Sequence, residues 1–157
     1  MAKGLKLEIE DATIIWRNLS GKGSQFNREG NRNFHVIIPD EETANELRED
    51  GWHVKERVSK QDPQDVFYHL EVTARFDNFP PDVFAIAGRK KTRLTEETVG
   101  MLDSADIESV DIIISGSRYE VSGRSGVKAY LKTMYAVINV DKFANKYDFD
   151  DEEIPFN

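Results

Sequence analysis

The chain of 157 residues is 39% hydrophobic and 10% aromatic, which is typical of one folded domain with its own core. It contains no cysteine, which excludes a disulfide framework, a thiol nucleophile and a thiolate zinc site. No apolar stretch reaches membrane-spanning length, and residues 1–4 lead directly into a strand pattern instead of a signal peptide. The composition therefore predicts a cytoplasmic protein that does not bind a membrane.

The net charge of −8 at first argues against binding to an anionic polymer such as nucleic acid. Five of the 29 acidic residues, however, lie between residues 148 and 153, and residues 148–157 contain no Lys or Arg. Residues 1–147 then hold 24 acidic and 21 basic residues, a charge of about −3. A body this close to neutrality can gather its basic residues on one face, so net charge does not decide the partner.

The pattern of apolar residues predicts mainly β structure, because alternation with a period of two recurs in short segments between turn residues. The predicted strands cover residues 5–16, 33–38, 52–58, 66–76, 83–87, 110–117 and 127–139. One helix is predicted from Glu41 to Asp50 and another from Thr95, as its N-cap, to about Ala105. The segments between them are predicted loops, including a polar loop over 18–33 and a basic loop over 88–93.

Such a series of strands with one late helix favours a small closed β-barrel, which hides the strand edges that a β-rich chain must protect. The OB barrel has a helix between its third and fourth strands, and here the predicted helix over 95–105 separates the strands 83–87 and 110–117. We therefore predict a five-stranded OB-fold barrel over residues 1–140, with residues 41–58 as an inserted helix and strand. Residues 141–157 are predicted to be a disordered, acidic, flexible tail.

The last predicted strand has the side chains that single-stranded nucleic acid requires: cations for its phosphates and flat rings for its bases. Lys128, Tyr130 and Lys132 fall on one face of this strand, and apolar residues fall on the other. The alternative is an ordinary exposed β face, on which Tyr and Lys are both common. We favour an aromatic stacking platform between two cations.

Other cations are grouped in three more segments, two of which also contain aromatic residues. The densest group is in the predicted loop over 88–93, where a barrel rim would bring it close to phosphates. The candidate ligands in these segments are Arg89, Lys90, Lys91 and Arg93 in this loop, Trp16, Arg17, Phe26, Arg28 and Arg32 in and beside the first loop, and Arg118, Tyr119 and Arg124 before the last strand. For the first loop and for the loop over 88–93 the alternative is a solvated loop or turn.

The sequence does not contain a pattern typical of an enzyme. His35, His53 and His69 are far apart without the spacing of metal ligands, so we predict no metal site and no cofactor. The Pro-Asp pairs at 39–40 and 81–82 are typical of the start of a nuclease motif, but no Glu-x-Lys follows to complete it. A magnesium-dependent nuclease is therefore the less favoured alternative to a protein without catalytic activity.

The last ten residues combine negative charge with an apolar end. Five carboxylates crowd positions 148–153, and their repulsion prevents the segment from folding alone. The apolar tip Ile154-Pro155-Phe156 follows, which proline keeps extended. This combination is typical of a docking peptide, although a merely solvated terminus is more common among acidic tails. Because the tail is anionic and tethered, we also expect it to compete with a nucleic acid for the same groove.

The run Asp148-Phe149-Asp150-Asp151 followed by Ile154-Pro155-Phe156 closely resembles the C-terminal tip of bacterial single-stranded-DNA-binding proteins. In that family the tip recruits enzymes of replication, recombination and repair, and the chain normally ends on the Phe, whereas Asn157 follows here. The resemblance implies that replication and recombination proteins bind the tail. The residues implied in this contact are Asp148, Phe149, Asp150, Asp151, Ile154, Pro155 and Phe156.

Four stretches of the body, FNREGNRNF from Phe26, DGW from Asp50, NFPP from Asn78 and GVKAYLK from Gly126, are similar to phage-encoded OB-fold single-stranded-DNA-binding proteins. The likeness covers most of residues 4–140. It implies a non-enzymatic protein that binds single-stranded DNA without sequence preference during phage DNA replication and recombination. A protein-interaction module that uses the tail alone and binds no DNA is the alternative, and a homo-oligomer is left open.

Overall fold

The structure is a computed structural model, which describes residues 5–25, 27–77 and 79–139. Over these residues it contains nine strands, one α-helix and one short 3-10 helix. The strands are β1 (Leu5–Ala12), β2 (Ile14–Asn18), β3 (Asn33–Ile38), β4 (Lys55–Val58), β5 (Val66–Thr73), β6 (Asp82–Ala87), β7 (Lys90–Leu94), β8 (Ile107–Val121) and β9 (Arg124–Ile138); α1 covers Glu41–Glu49 and the 3-10 helix Val99–Asp103. None of the described helices is long and apolar enough to span a membrane. The predicted tail over 141–157 and the predicted ligand Phe26 lie outside the described residues.

Six of the strands form a ring with the topology of an OB barrel. Only Thr13 separates β1 from β2, so the two are one bent strand. From this strand the ring runs through β3, β5, β9 and β8 and returns to β1. All of these pairs are antiparallel except β5 with β9, which are parallel. Counted with the bent strand as one, the ring has five strands, which confirms the predicted fold class.

Two insertions enlarge the barrel, and one of them was not expected. α1 and β4 connect the second barrel strand to the third, as predicted for residues 41–58, and β4 pairs with one edge of β5. The third barrel strand is β5, however, and not the strand over 83–87 that directly precedes the late helix. That strand, β6, forms a hairpin with β7 and extends the sheet by pairing in parallel with β9.

The predicted basic loop over 88–93 and the predicted helix over 95–105 are both wrong in extent. Residues 90–94 form β7, because Gly88 adopts a φ of +62° that closes a tight turn between the two strands of the hairpin. The helix is only the 3-10 turn Val99–Asp103, and Thr98 precedes it without a side-chain cap. Threonine and glycine over 95–100 are weak helix formers, which accounts for the short helix.

The core lies inside the ring, where alternate residues of each strand point. On β3 Phe34, Val36 and Ile38 are buried, and on β8 Val110, Ile112 and Ile114 are buried. Trp52 is also part of the core and is only 3% exposed. The residues between these buried positions face outward, and this outer face of the barrel carries the candidate site.

Gly116 on β8 packs against the core where its neighbours leave no room for a side chain. A Cβ atom there would lie 2.7 Å from Trp52 Cη2, 2.7 Å from Val127 Cγ1 and 2.8 Å from Leu5 Cβ. We expect Gly116→Ala to lower the free energy of unfolding by about 1–3 kcal/mol, because an overfilled core must distort. Urea unfolding measures this difference, and Ser115→Ala on the outer face of the same strand is the control. Equal stability of the two variants would contradict the close packing.

Candidate nucleic-acid interface

The outer face of β9 carries the predicted series of cation, aromatic ring and cation. Lys128 and Lys132 are exposed and Tyr130 is half-buried, whereas the intervening Ala129 and Leu131 are buried. Each of these side chains therefore lies on the side of the strand that alternation predicts. The two lysine side chains thus lie on either side of the Tyr130 ring along the outer face of β9.

A bulge at Lys132 interrupts this alternation. On β8, Ile113 pairs with Thr133 and the next residue, Ile114, pairs with Leu131, so Lys132 has no partner residue opposite it. Thr133, predicted on the inner side, is consequently half-buried, and Met134 is in the core instead. The bulge shifts the outward positions by one residue, as bulges do.

A groove follows the outer face of β9. Two cavities of about 540 and 420 Å³ meet at Arg75 and Tyr130, which line both. The larger cavity extends to Lys132 and the smaller one to Lys128. A third cavity of about 210 Å³ continues from Lys128 to Tyr119 in the hairpin of β8 and β9. Basic and aromatic side chains thus recur along the groove, together with the carboxylates of Asp77, Asp82 and Glu96.

Arg75 lies at the middle of the groove, and the sequence did not mark it as a ligand. Its guanidinium donates from Nη2 to Asp77 Oδ2 at 2.9 Å and from Nε to Asp77 Oδ1 at 3.3 Å. These hydrogen bonds, and one to the phenol oxygen of Tyr130, raise the pKa of Arg75. Arg75 lies beside Tyr130 because β5 and β9 make a parallel contact at Thr73 and Tyr130. No local sequence pattern predicts this contact.

Phe79 is another groove residue that was not predicted as a ligand. It is 91% exposed and lines the larger cavity together with Pro80 and Pro81. Its φ of +52° lies in the left-handed region, which is costly for a residue other than glycine. An exposed ring at this position can stack on a flat ligand.

Two buried polar groups on the lining of the smaller cavity have no hydrogen-bond partner among the described residues. They are Oγ1 of Thr73, a residue only 6% exposed, and Nε of Arg32. The Nη2 atom of Arg32 lies 3.5 Å from the Glu96 carboxylate, and its guanidinium lies 6.0 Å from the ring centre of Phe76. Since buried polar groups are almost always paired, each of these two atoms lacks a partner that a buried water molecule can supply.

The other predicted cations of the first loop are not brought to the groove in the same way. Arg17 Nη1 donates to the carbonyl oxygens of Leu102 and Ala105, at 2.7 and 2.9 Å, and so satisfies the end of the 3-10 helix. Its guanidinium is therefore held against the 3-10 helix, so these contacts give Arg17 a structural role. Arg28 is exposed in the loop.

Trp16 lies on a second region of the outer face, over β3 and β5. Its ring centre is 5.0 Å from that of His35 and 4.9 Å from that of His69, and the Arg57 guanidinium lies 5.2 Å from its centre. The pairing of β2 with β3 is irregular here and Trp16 has a φ of +49°, so the ring projects outward and stays 48% exposed. Trp16 thus keeps an open ring surface beside a cation.

His35 and His69 are far apart in the sequence but adjacent in the structure, because β3 pairs with β5. Their Nδ1 atoms lie 2.9 Å apart, so one ring donates a hydrogen bond and the other accepts it. Burial lowers the pKa of both, and for His69, where the neighbouring His35, Lys55 and Arg57 also contribute, it falls to about 4. The two rings are therefore neutral at pH 7.

The hairpin of β8 and β9 presents one of its predicted ligands to the groove. Tyr119 lies on the same face as Lys128, and its hydroxyl oxygen is 2.6 Å from His53 Nε2. Arg118 lies on the other face, opposite the buried Val127, and Arg124 is at the exposed end of the hairpin.

The basic cluster over 89–93 is divided by its strand. Lys91 and Arg93 lie on the outward side of β7, and Arg93 forms an ion pair with Asp82, which lines the larger cavity. Lys90 is on the opposite side of β7, and Arg89 lies in the turn before it.

An OB barrel with a groove of cations and aromatic rings on its outer face is typical of a module that binds single-stranded nucleic acid. A family model described as "Putative phage ssDNA-binding domain" matches residues 2–156. The chain therefore belongs to this family of phage single-stranded-DNA-binding domains, and its function is to bind single-stranded DNA.

Solved structures share the fold. The chain is similar to the single-stranded-DNA-binding protein of bacteriophage Enc34 in a C-terminally truncated form, with a TM-score of 0.53, 11% identity and coverage of 87% of each chain. It is also similar to the Enc34 protein in complex with single-stranded DNA, with a TM-score of 0.51, 10% identity, and coverage of 88% of this chain and 89% of that chain. No curated protein matches the sequence.

The histidine pair predicts a dependence of stability on pH. The pKa of His69 is about 4 in the folded chain and 6.5 as its ordinary value, so the unfolded chain binds more protons between these limits. Stability is therefore lost as the pH falls from 6.5 towards 4. We expect His69→Gln to reduce the stability lost between pH 7 and pH 5 by about 1–2 kcal/mol. Urea unfolding at both pH values measures this, with His53→Gln, at an exposed position, as the control. The same pH dependence in both variants would contradict the assignment.

Proposed function

We propose that the chain is a non-enzymatic protein that coats single-stranded DNA without sequence preference during phage replication and recombination. The DNA lies along the groove on the outer face of β9. The observation that carries this proposal is the order of Lys128, Tyr130 and Lys132 along the groove, with Arg75 beside the ring. Cations on either side of the ring hold phosphates along the strand, and the ring between them stacks on a base.

This arrangement accounts for binding without sequence preference. Lysine and arginine contacts to phosphates fix the position of the strand but do not read its sequence. Stacking is equally tolerant, because every base has an aromatic face. Tyr130, Tyr119 and Phe79 line the groove, and Trp16 lies on the neighbouring region of the outer face. Together these rings supply contacts to several bases.

The smaller cavity is suited to one phosphate. Arg32 lines it, and its guanidinium donates hydrogen bonds that phosphate oxygens accept. Lys128 lines the same cavity and adds positive charge, whereas Arg75 is paired with Asp77. A phosphate bound there would fix the register of the strand relative to the ring of Tyr130.

The two acids of the incomplete nuclease pattern have other partners. Asp40 Oδ1 accepts a hydrogen bond from the backbone N–H of Thr43 at 2.7 Å, which caps α1 and lowers the pKa of Asp40. Asp82 forms an ion pair with Arg93. Both contacts support a protein without nuclease activity, since a metal ion would have to displace them.

The groove predicts separable effects of ring and charge. We expect Tyr130→Leu to weaken binding of oligo-dT by about 5- to 100-fold with little change in the salt dependence, because only stacking is lost. We expect Lys128→Gln and Lys132→Gln each to reduce the slope of log affinity against log salt by about 1. Fluorescence anisotropy of labelled oligo-dT over a salt series measures both quantities.

The matched control for the lysine variants is Lys60→Gln, an exposed position in the connector between β4 and β5 and outside the groove residues. Its slope should equal that of the unmodified chain. If the two groove variants behave like Lys60→Gln, the DNA does not follow β9. If the unmodified chain does not bind oligo-dT in a salt-dependent manner, the module uses the tail alone and the proposal fails.

For the tail we propose two roles: recruitment of replication and recombination proteins through its apolar tip, and competition with DNA through its charges. A tethered anionic segment acts at high effective concentration, so it occupies a cationic groove until DNA displaces it. The residues concerned lie outside the described part of the chain, and the proposal depends on their sequence. The acidic run supports the competition with DNA, and the apolar tip that follows it supports the recruitment of proteins.

A chain that ends at Tyr147 should bind oligo-dT more tightly than the full chain, most clearly at low salt, where charge competition is least screened. The control keeps every acidic residue and replaces Ile154, Pro155 and Phe156 by Ala, which should leave DNA affinity unchanged. Anisotropy titrations of the three chains test this. Equal affinity of the full and shortened chains would contradict the competition.

A further inference from the structure

We infer that the DNA path continues beyond the groove to a second stacking site, formed by Phe84, Lys91, Arg93 and Tyr135. This site lies on the hairpin of β6 and β7, which is outside the five barrel strands, and on the adjoining part of β9. The inference rests on the proposed function of the groove and extends it to a longer stretch of DNA. Phe84 and Tyr135 were not among the residues that the sequence marked as ligands.

The two rings form an ordered pair. Their centres are 5.1 Å apart and their planes differ by only 18°, so they are stacked nearly parallel. Lys91 Nζ lies 4.8 Å from the centre of the Phe84 ring and 5.9 Å from that of Tyr135. The Arg93 guanidinium lies 5.4 Å from the centre of the Phe84 ring. Two rings and two cations are thus concentrated in one patch, the same side-chain types that line the groove.

The strand register explains why these side chains face outward. Phe84 is paired with Tyr135 across the parallel contact of β6 and β9, and with Arg93 across the hairpin. The residues on either side of Phe84, Val83 and Ala85, are buried in the core. Alternation therefore turns Phe84 away from the core, and Tyr135 remains 37% exposed.

The second stacking site begins where the groove ends. Asp82 lines the larger cavity together with Tyr130 and Lys132, and it forms the ion pair with Arg93. Arg93 in turn lies against Phe84. Along β9, Tyr130 and Tyr135 are five residues apart, or roughly 16 Å at the rise of an extended strand. A DNA strand that leaves Tyr130 past Lys132 reaches this second pair of rings directly.

The charges of the patch favour a polyanion. Arg93 is neutralised by Asp82, whereas Lys91 forms no ion pair within the described residues. Lys91 therefore contributes an uncompensated positive charge beside the stacked rings. A phosphate can pair with Lys91 while a neighbouring base contacts the exposed surface of Tyr135. The occupant is thus the next part of the same single strand.

The test compares a short oligo-dT, of about 5 nucleotides, with a long one, of about 20, because one OB fold covers roughly 4–16 nucleotides. The variant Phe84→Leu/Tyr135→Leu keeps apolar side chains but removes both rings. We expect it to weaken binding of the long oligonucleotide by about 5- to 100-fold and to leave binding of the short one unchanged. Lys91→Gln should reduce the salt slope by about 1 for the long oligonucleotide only.

The control is Tyr68→Leu, which removes a ring of β5 that lines neither the groove nor the second stacking site. The Arg48 guanidinium lies 5.8 Å from the centre of this ring. This variant should not change the ratio of the two affinities. Equal weakening of both lengths by the double variant would overturn the inference, because the rings would then act on the groove or the fold.

Unchanged binding of both lengths by the double variant would also overturn the inference. The proposed role of the groove would not be affected by that result. If sedimentation showed that the double variant changes the association of DNA-free chains, with DNA binding unchanged, the rings would belong to a contact between copies. Absence of binding by the unmodified chain at either length would instead refute the proposed function itself.

Discussion

Strand β9 pairs with β5, β6 and β8, and the alternation of its side chains connects the core to the proposed DNA-binding face. Its inner residues, among them Ala129 and Leu131, belong to the core, and the residues between them line the groove. A slip of one residue in its register would exchange these two sets, exposing apolar side chains and burying lysines. Folding energy therefore fixes the positions of the groove cations, because the core and the groove depend on the same register.

The sequence predicted the parts of this arrangement that are local. Lys128, Tyr130 and Lys132 could be placed on one face, because a period of two is visible within a single strand. Arg75 and the pair of Phe84 with Tyr135 could not be found in this way. Their positions depend on the parallel contacts of β5 and β6 with β9, which join residues more than 50 positions apart. No local pattern specifies the register of such a contact.

The basic residues show a different limit of prediction from the sequence. A run of cations over 89–93 suggested a loop, yet most of it is an edge strand, where lysine also protects against unwanted pairing. Arg17 shares the charge of a DNA ligand, but its hydrogen bonds to the 3-10 helix give it a structural task. The number of cations can be read from the sequence. Which of them have partners within the chain, and which are accessible to phosphates, depends on the fold.

The outer face is consequently uneven in charge. Around Trp16 the two histidines share a hydrogen bond and are neutral at pH 7, because burial and neighbouring cations lower the pKa of His69 to about 4. That region offers mainly a ring surface, with Arg57 beside it. Along β9 and β7, Lys128, Lys132 and Lys91 form no ion pair within the described residues. In the proposed binding mode the salt-dependent part of DNA binding is concentrated there, which reconciles a negatively charged chain with an anionic ligand.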